Sequence, residues 1–340
     1  MAHDIGQMFY FGSKPWHGLG TKLAQAATID EALDAGGLDW TVSLVPIVPA
    51  GEPQSRIGHR VAVVRDDQPP GSPNRVVGVV HPEFRPLQNG DGARLFDALL
   101  GQGARVYHTG GYLRHGEVVW LLAKLPRDIL VGKDDPVETY LLFANSHDGS
   151  VAIDIRLTTV RVVCQNTLSL ALNRKATGKV FRHAHDSSVE RLEEEAKAFF
   201  DFSVRQCAEA QALFNRLAQR RCDREAFKAF LCGVLPDPAR PVTADRNLAV
   251  LRAYETRMEN LRATRKEVER LFRDGVPHLK LTPAGETLWG AVNAVTAWID
   301  HVQPIDGDRY AHVLLGNGDK LKTRALVQAT ALCEQLAGAA

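Results

Sequence analysis

The spacing of apolar positions changes character near residue 186. Before it, apolar residues come in short runs broken by Gly, Pro and Asp, the texture of strands; after it they recur every three or four positions, as on amphipathic helices. Trp40 to Val48 reads as a strand closed by Pro46 and Pro49. Arg60–Arg65 and Arg75–His81 read as an antiparallel pair joined by the proline-bearing stretch 66–74. Arg105–Leu113 and Val118–Leu125 form a second hairpin that turns at His115-Gly116. Glu138–Ser146 and Ser150–Val163 form a third around His147-Asp148-Gly149, where Asp-Gly between apolar runs is a strong hairpin signal. One helix, Asp91–Leu100, lies between strands. Asp91 is its expected N-cap, Leu95, Phe96, Leu99 and Leu100 its apolar face, and Gly101 its stop.

Beyond the third hairpin, Gln165–Asn173 reads as a short helix and 173–185 as a basic loop. Helices follow at about 187–221, 223–234, 243–273, 284–302 and 319–337, the first opened by a Ser187/Glu190 capping box. The expected fold is α+β, with antiparallel β-hairpins and a crossing helix in the N-terminal half and a helical C-terminal half. It divides into a β-rich domain, 1–185, and a helical domain, 186–340.

Composition narrows the class. With 45% apolar and 24% charged residues in a chain of 340, wholesale disorder is excluded. A net charge of +1, from 41 basic and 40 acidic residues, excludes a chain that coats nucleic acid by bulk charge. No apolar run approaches the ~18–20 residues that span a bilayer, and Met1–Tyr10 lacks the order of a secretory signal. Five scattered cysteines read as reduced thiols, so a cytoplasmic protein without membrane contact is expected.

Charge is unevenly distributed. From Gly149 to His185, six bases (Arg156, Arg161, Arg174, Lys175, Lys179, Arg182) face one acid, Asp154. From Arg216 to Arg273, fourteen bases face eight acids. Positive charge gathered on one face is the footprint of a polyanion binder, and Tyr107, Tyr112 and Trp120 on strands offer surfaces for stacking unpaired bases. The competing reading is a solvated helix face, which pairs such as Glu259 with Arg262 fit.

Three further patterns carry candidate chemistry. Trp16-His17-Gly18-Leu19-Gly20-Thr21 reads as a tight turn offering backbone N–H groups to an anion, though it lacks the ending of a nucleotide-binding loop; the plainer alternative is an aromatic anchor for the N-terminal arm. Cys164 sits where a strand is expected to hand over to a helix. A helix N-terminus there lowers a thiol pKa, and His147 or His17 would supply the base of a nucleophilic pair. No metal site is expected: His183-x-His185 has close spacing but no second ligand pair. No cofactor is implied.

Trp16-His17-Gly18-Leu19-Gly20-Thr21, Arg161-Val162-Val163-Cys164-Gln165-Asn166-Thr167-Leu168 and Trp289-Gly290-Ala291-Val292-Asn293-Ala294-Val295-Thr296, with Asp300-His301 and Gly318-Asp319-Lys320-Leu321-Lys322 behind them, resemble the phage- and plasmid-encoded family built on the domain of unknown function numbered 932. The resemblance spans residues 3–336 and implies a place in mobile-element DNA metabolism. The order of hairpins, helix and helical region is also similar to single-strand annealing proteins, an analogy of fold alone. The leading expectation is a non-enzymatic single-stranded-DNA-binding protein, working as an annealing homo-oligomer, with Arg156, Arg161, Arg174, Lys175, Lys179 and Arg182 on the phosphates. The alternatives are an enzyme on a nucleotide or small acyl or amide substrate, with Cys164 and His147 at its centre, and a phage protein that acts only by interaction.

Overall fold

A computed structural model describes residues 5–12, 19–101, 104, 106–161, 166–169, 181–183, 206–241, 248–275, 285–305, 312–313 and 316–338. The expected α+β arrangement is present. The strands of the main sheet are β1 (Ile5–Phe11), β2 (Thr21–Leu23), β6 (Tyr107–Leu113), β7 (Val118–Lys124), β8 (Ile129–Val131), β9 (Asp135–Ser146), β10 (Ile153–Arg161), β11 (Asn166–Ser169) and β12 (Phe181–His183). Their order is β11-β10-β9-β7-β6-β1-β2, with β12 also on β10 and β8 on β9. β7 lies between β6 and β9 and is buried on both faces, which is why Val118 to Ala123 is apolar throughout instead of alternating. A second, three-stranded antiparallel sheet holds β3 (Val42–Pro46), β4 (Val61–Arg65) and β5 (Val76–Val80).

Helix α1 (Ile29–Ala35) opens with a capping box in which Thr28 accepts from Glu31 N and Glu31 accepts from Thr28 N. Helix α2 (Asn89–Leu100) packs on the main sheet, with Phe96 stacked on Phe143 at 5.6 Å and the Tyr107 hydroxyl donating to Asp97 (2.9 Å). Its N-cap is Gln88, not Asp91. Asp91 instead sits in the first turn, where a carboxylate favours the helix dipole, and accepts from Arg94. The Gln88 side chain bonds both the N–H and the C=O of Val42, tying β3 to the start of the helix.

The C-terminal half holds α3 (206–219), α4 (Arg224–Val234), α5 (Leu248–Asp274), α6 (Leu288–Ala297) and α7 (Asn317–Gly338). A π-helical turn, Trp298–Val302, continues α6. One apolar core runs from Met8 through Trp120 and Phe143 to Phe214, Phe272, Val292 and Ala329, across the change of texture at 186. Trp289 stacks on Phe214 at 4.4 Å and donates to Asp135 on β9 (2.9 Å), fastening α6 to the sheet. Among the described residues, no helix is long and apolar enough to cross a membrane.

One segment departs from expectation. The described part of 165–173 is the strand β11, which pairs Asn166 to Ser169 against Arg161 to Thr158 of β10. A run this short carries no resolvable period, and the open edge of β10 supplies ladder hydrogen bonds that a lone helical turn lacks. Over 166–169 the expected helix is therefore a strand, and Cys164 lies outside the described residues. Likewise, 181–183 of the expected basic loop is strand β12.

Candidate functional site

β10 runs antiparallel to β9 and carries two short strands in tandem on its other edge. Ser169, the end of β11, pairs with Thr158; Phe181, the start of β12, pairs with Ile155. The chain thus leaves the edge of β10 at 169 and rejoins it at 181, three β10 residues away, or about 10 Å. Arg161 is the last residue of β10, opposite Asn166, and Arg182 lies opposite Asp154. Arg174, Lys175 and Lys179 fall on the connection between β11 and β12 and lie outside the described residues.

Arg156 is corrected. The expected phosphate contact is a buried ion-pair centre. Its guanidinium bonds Asp154, two residues along the same face of β10, and Asp319 on α7 (2.7 Å). Burial disfavours its charge, but the hydrogen bonds and charges of Asp154 and Asp319 outweigh burial and hold its pKa above the usual arginine value. One turn along α7, the buried Lys322 donates to Asp300 in the π turn (2.9 Å). The segments Trp289–Thr296, Asp300-His301 and Gly318–Lys322 thus meet at one junction, where α6 and α7 also touch β11. Five charged side chains enclosed there fix how the helices seat on the sheet.

His147 does not project from the hairpin tip. It is fully buried, its ring 5.2 Å from that of Trp40, with Nε2 at 2.9 Å from Asn89 Oδ1. The Asn89 amide donates to Leu38 O and Trp40 O, which turns Oδ1 to the histidine, so Nε2 carries the proton. Cys164 lies outside the described residues. Its flanks, Arg161 and Asn166, pair at the far end of β10 from the turn that holds His147. The strand between spans about 26 Å.

The N-terminal turn is partly described. Trp16, His17 and Gly18 lie outside the described residues; Thr21 opens β2, opposite Phe9. Gly20 has φ +98°, and a Cβ there would lie 2.8 Å from Met8 Cγ, so the close packing of β1 and β2 accounts for this glycine. The aromatic stacking surfaces are also corrected. Tyr107 and Trp120 are buried, and Tyr112 is half-buried against Trp40 and Arg65. Arg65 itself lies over Trp40 (4.2 Å) and is held by Asp67 and His115 O.

A polar cluster on three strands was not legible in the sequence. Tyr140 donates to Glu138 (2.8 Å) and lies 3.4 Å from His108 Nδ1; Lys124 joins Glu138 (2.5 Å) and Asp128 (3.4 Å). Burial and the Lys124 charge push the His108 pKa down, so its imidazole is neutral near pH 7. These residues are scattered over β6, β7 and β9, and only the strand register brings them together. Among the described residues, no group of three or more His, Cys, Asp or Glu is placed to hold a metal ion.

Several arginines of 216–273 serve the fold. Arg265 binds Asp237 (2.9 Å) and Leu235 O, and Arg270 binds Glu267 (2.6 Å). Arg216 and Arg220 line a groove of about 360 Å³ between α3 and α7, where the negative carbonyl ends of both helices meet and Arg220 donates to Leu336 O (3.5 Å). The Arg220 guanidinium there offsets the end of α7. Arg252, Arg257 and Arg262 of α5 remain exposed, interleaved with exposed Glu255 and Glu259.

Compared with known proteins, residues 76–332 match the family model described as Domain of unknown function (DUF932). No curated protein matches the chain, and no solved structure does.

Proposed function

The chain belongs to the DUF932 family, and from that premise we propose that it binds single-stranded DNA through the basic connection between β11 and β12 on the edge of β10. The reading extends to a cytoplasmic, non-enzymatic role in mobile-element DNA metabolism, with the protein working as a homo-oligomer. The observation that carries it is the charge left over once the fold has taken what it needs. Arg156 is spent on Asp154, the only acid of 149–185. Arg161, Arg174, Lys175, Lys179 and Arg182 then have no further acid in their own segment, and the connection that carries Arg174, Lys175 and Lys179 has its ends anchored about 10 Å apart on one strand edge. Arg182 and Arg161 mark the two ends of β10, about 23 Å apart, and a line of cations along that edge suits a run of phosphates; the contact is sequence-independent because phosphates carry no base information.

Fluorescence anisotropy of a labelled single-stranded oligonucleotide tests the reading. Binding is expected at about 50 mM salt and should weaken steeply by 200 mM. An oligonucleotide that stays free at low salt defeats the proposal.

A further inference from the structure

We propose that His108 acts as a general base toward water in the hydrolysis of a small neutral ester, with Tyr140 and Glu138 positioning it and Lys124 meeting the carbonyl oxygen. This goes beyond the DNA reading and does not rest on it.

A bulge puts the histidine in place. Tyr107 of β6 pairs with Ala123 of β7 and Thr109 with Leu122, so His108 is the extra residue. Bulges re-aim a side chain relative to the regular ladder. His108 lies against Tyr140 of β9, the ring centres 5.5 Å apart, and Tyr140 is the cross-strand partner of Lys124. Phe11, the last residue of β1, sets its ring perpendicular to the imidazole at 5.0 Å.

Hydrogen bonding decides which nitrogen is bare. The Tyr140 hydroxyl gives its one proton to Glu138 (2.8 Å), so toward the histidine it can only accept. Nδ1, 3.4 Å away, therefore carries the imidazole proton. Nε2 is left as a lone pair with no hydrogen-bond partner among the described residues. A carboxylate thus orients the base through one intervening hydroxyl, and the contact to Nδ1 has the loose length that catalytic hydrogen bonds show before substrate binds. Burial and the Lys124 charge keep the imidazole neutral near pH 7, the form a base needs.

The charges choose the substrate. Lys124 stands between Glu138 (2.5 Å) and Asp128 (3.4 Å), so with His108 neutral the cluster carries one excess negative charge and repels an anion. An ammonium has three N–H donors, and two carboxylates leave one for a carbonyl oxygen. The cluster opens to solvent, with Lys124 27% and Asp128 42% exposed. A bare nitrogen, a spare cationic donor and an aromatic wall suit an uncharged acyl group. Nε2 takes a proton from water while the water oxygen attacks the carbonyl carbon, and the oxyanion forms beside Lys124. The bond from carbon to the alcohol oxygen then breaks, and that oxygen takes the proton from the imidazolium. Ester and water leave as acid and alcohol.

Hydrolysis of p-nitrophenyl acetate by the full chain tests this. Its rate should exceed that of an equal concentration of free imidazole by about 100-fold, the low end of what a positioned base contributes. The pH profile should fall with a midpoint below 6.5, as His108 takes up a proton. His108→Gln should lose the excess, while His115→Gln, at an exposed histidine on the β6–β7 turn, should keep it. Tyr140→Phe keeps the ring but removes the orienting hydroxyl, and should slow hydrolysis and move the midpoint lower still. Circular dichroism confirms the fold of each variant. The proposal is overturned by a wild type no faster than free imidazole, by a folded His108→Gln protein that keeps the wild-type rate, or by Tyr140→Phe leaving both rate and midpoint unchanged.

Discussion

Replacing Arg156 with Gln separates the two roles its position allows. The guanidinium is 11% exposed, with the Asp154 carboxylate at 1% and Asp319 at 12%. Removing the cation leaves two acids facing each other away from solvent. Breaking a buried pair in this way costs about 3–5 kcal/mol, a large share of the ~5–15 kcal/mol that holds a protein folded. With about 2.1 cal/mol/K of unfolding entropy per residue, a chain of 340 residues should melt about 4–7 °C lower. Urea denaturation followed by circular dichroism gives the free-energy loss, and calorimetry gives the shift. Adding Asp154→Asn should recover part of the loss, because one of the stranded charges is then gone. Oligonucleotide binding, measured well below both transitions, should be unchanged. An Arg156→Gln protein that melts with wild type yet loses DNA binding refutes the argument, because the guanidinium would then be meeting phosphate and not aspartate.

Two further outcomes follow from the packing. His108 has its pKa lowered in the folded state by burial and Lys124, so the unfolded chain takes up its proton first. Its contribution to stability is complete above the ordinary histidine value of 6.5 and is lost as pH falls from there through the lower folded pKa; His108→Gln should flatten that part of a pH–stability curve, and an unchanged curve contradicts the assignment. Gly111 lies where β6 crosses β1: a Cβ there would fall inside contact distance of the Gln7 carbonyl and 2.8 Å from Met8 Cα. Gly111→Ala should therefore cost about 1–3 kcal/mol in urea titrations, through strand separation that no rotamer change relieves.

The hairpins were legible because their turns are local. Asp148-Gly149 and His115-Gly116 announce reversals that the backbone makes, with φ +76° at Gly149 and +116° at Gly116. The helices 224–234, 248–274 and 317–338 were legible from apolar spacing alone. β1 was missed because Ile5–Phe11 does not alternate cleanly, and α1 because the Thr28/Glu31 capping box precedes only seven helical residues. β11 was misread because its structure comes from the open edge of a strand already in place, a non-local cause.

The candidate site divides in the same way. Net charge over 149–185 can be counted in a sequence, but the loss of Arg156 to Asp319 cannot, since the partners are 163 residues apart. The burial of His147 has no sequence signal, because a turn residue is ordinarily solvent-facing; here β5 and Trp40 cover the turn. The His108–Tyr140–Glu138–Lys124 cluster has no sequence signature, being assembled only by the register of β6, β7 and β9.

The salt dependence of oligonucleotide binding tests most directly whether the β10 edge meets phosphates. If Arg161, Arg174, Lys175, Lys179 and Arg182 each neutralise one, log K should fall against log salt with a slope of about −3.5 for a single strand. Replacing Arg174, Lys175, Lys179 and Arg182 with Gln should bring the slope to about −0.7 and abolish most of the affinity. Binding that is insensitive to salt, or that survives the fourfold replacement, places the contact elsewhere and contradicts the account.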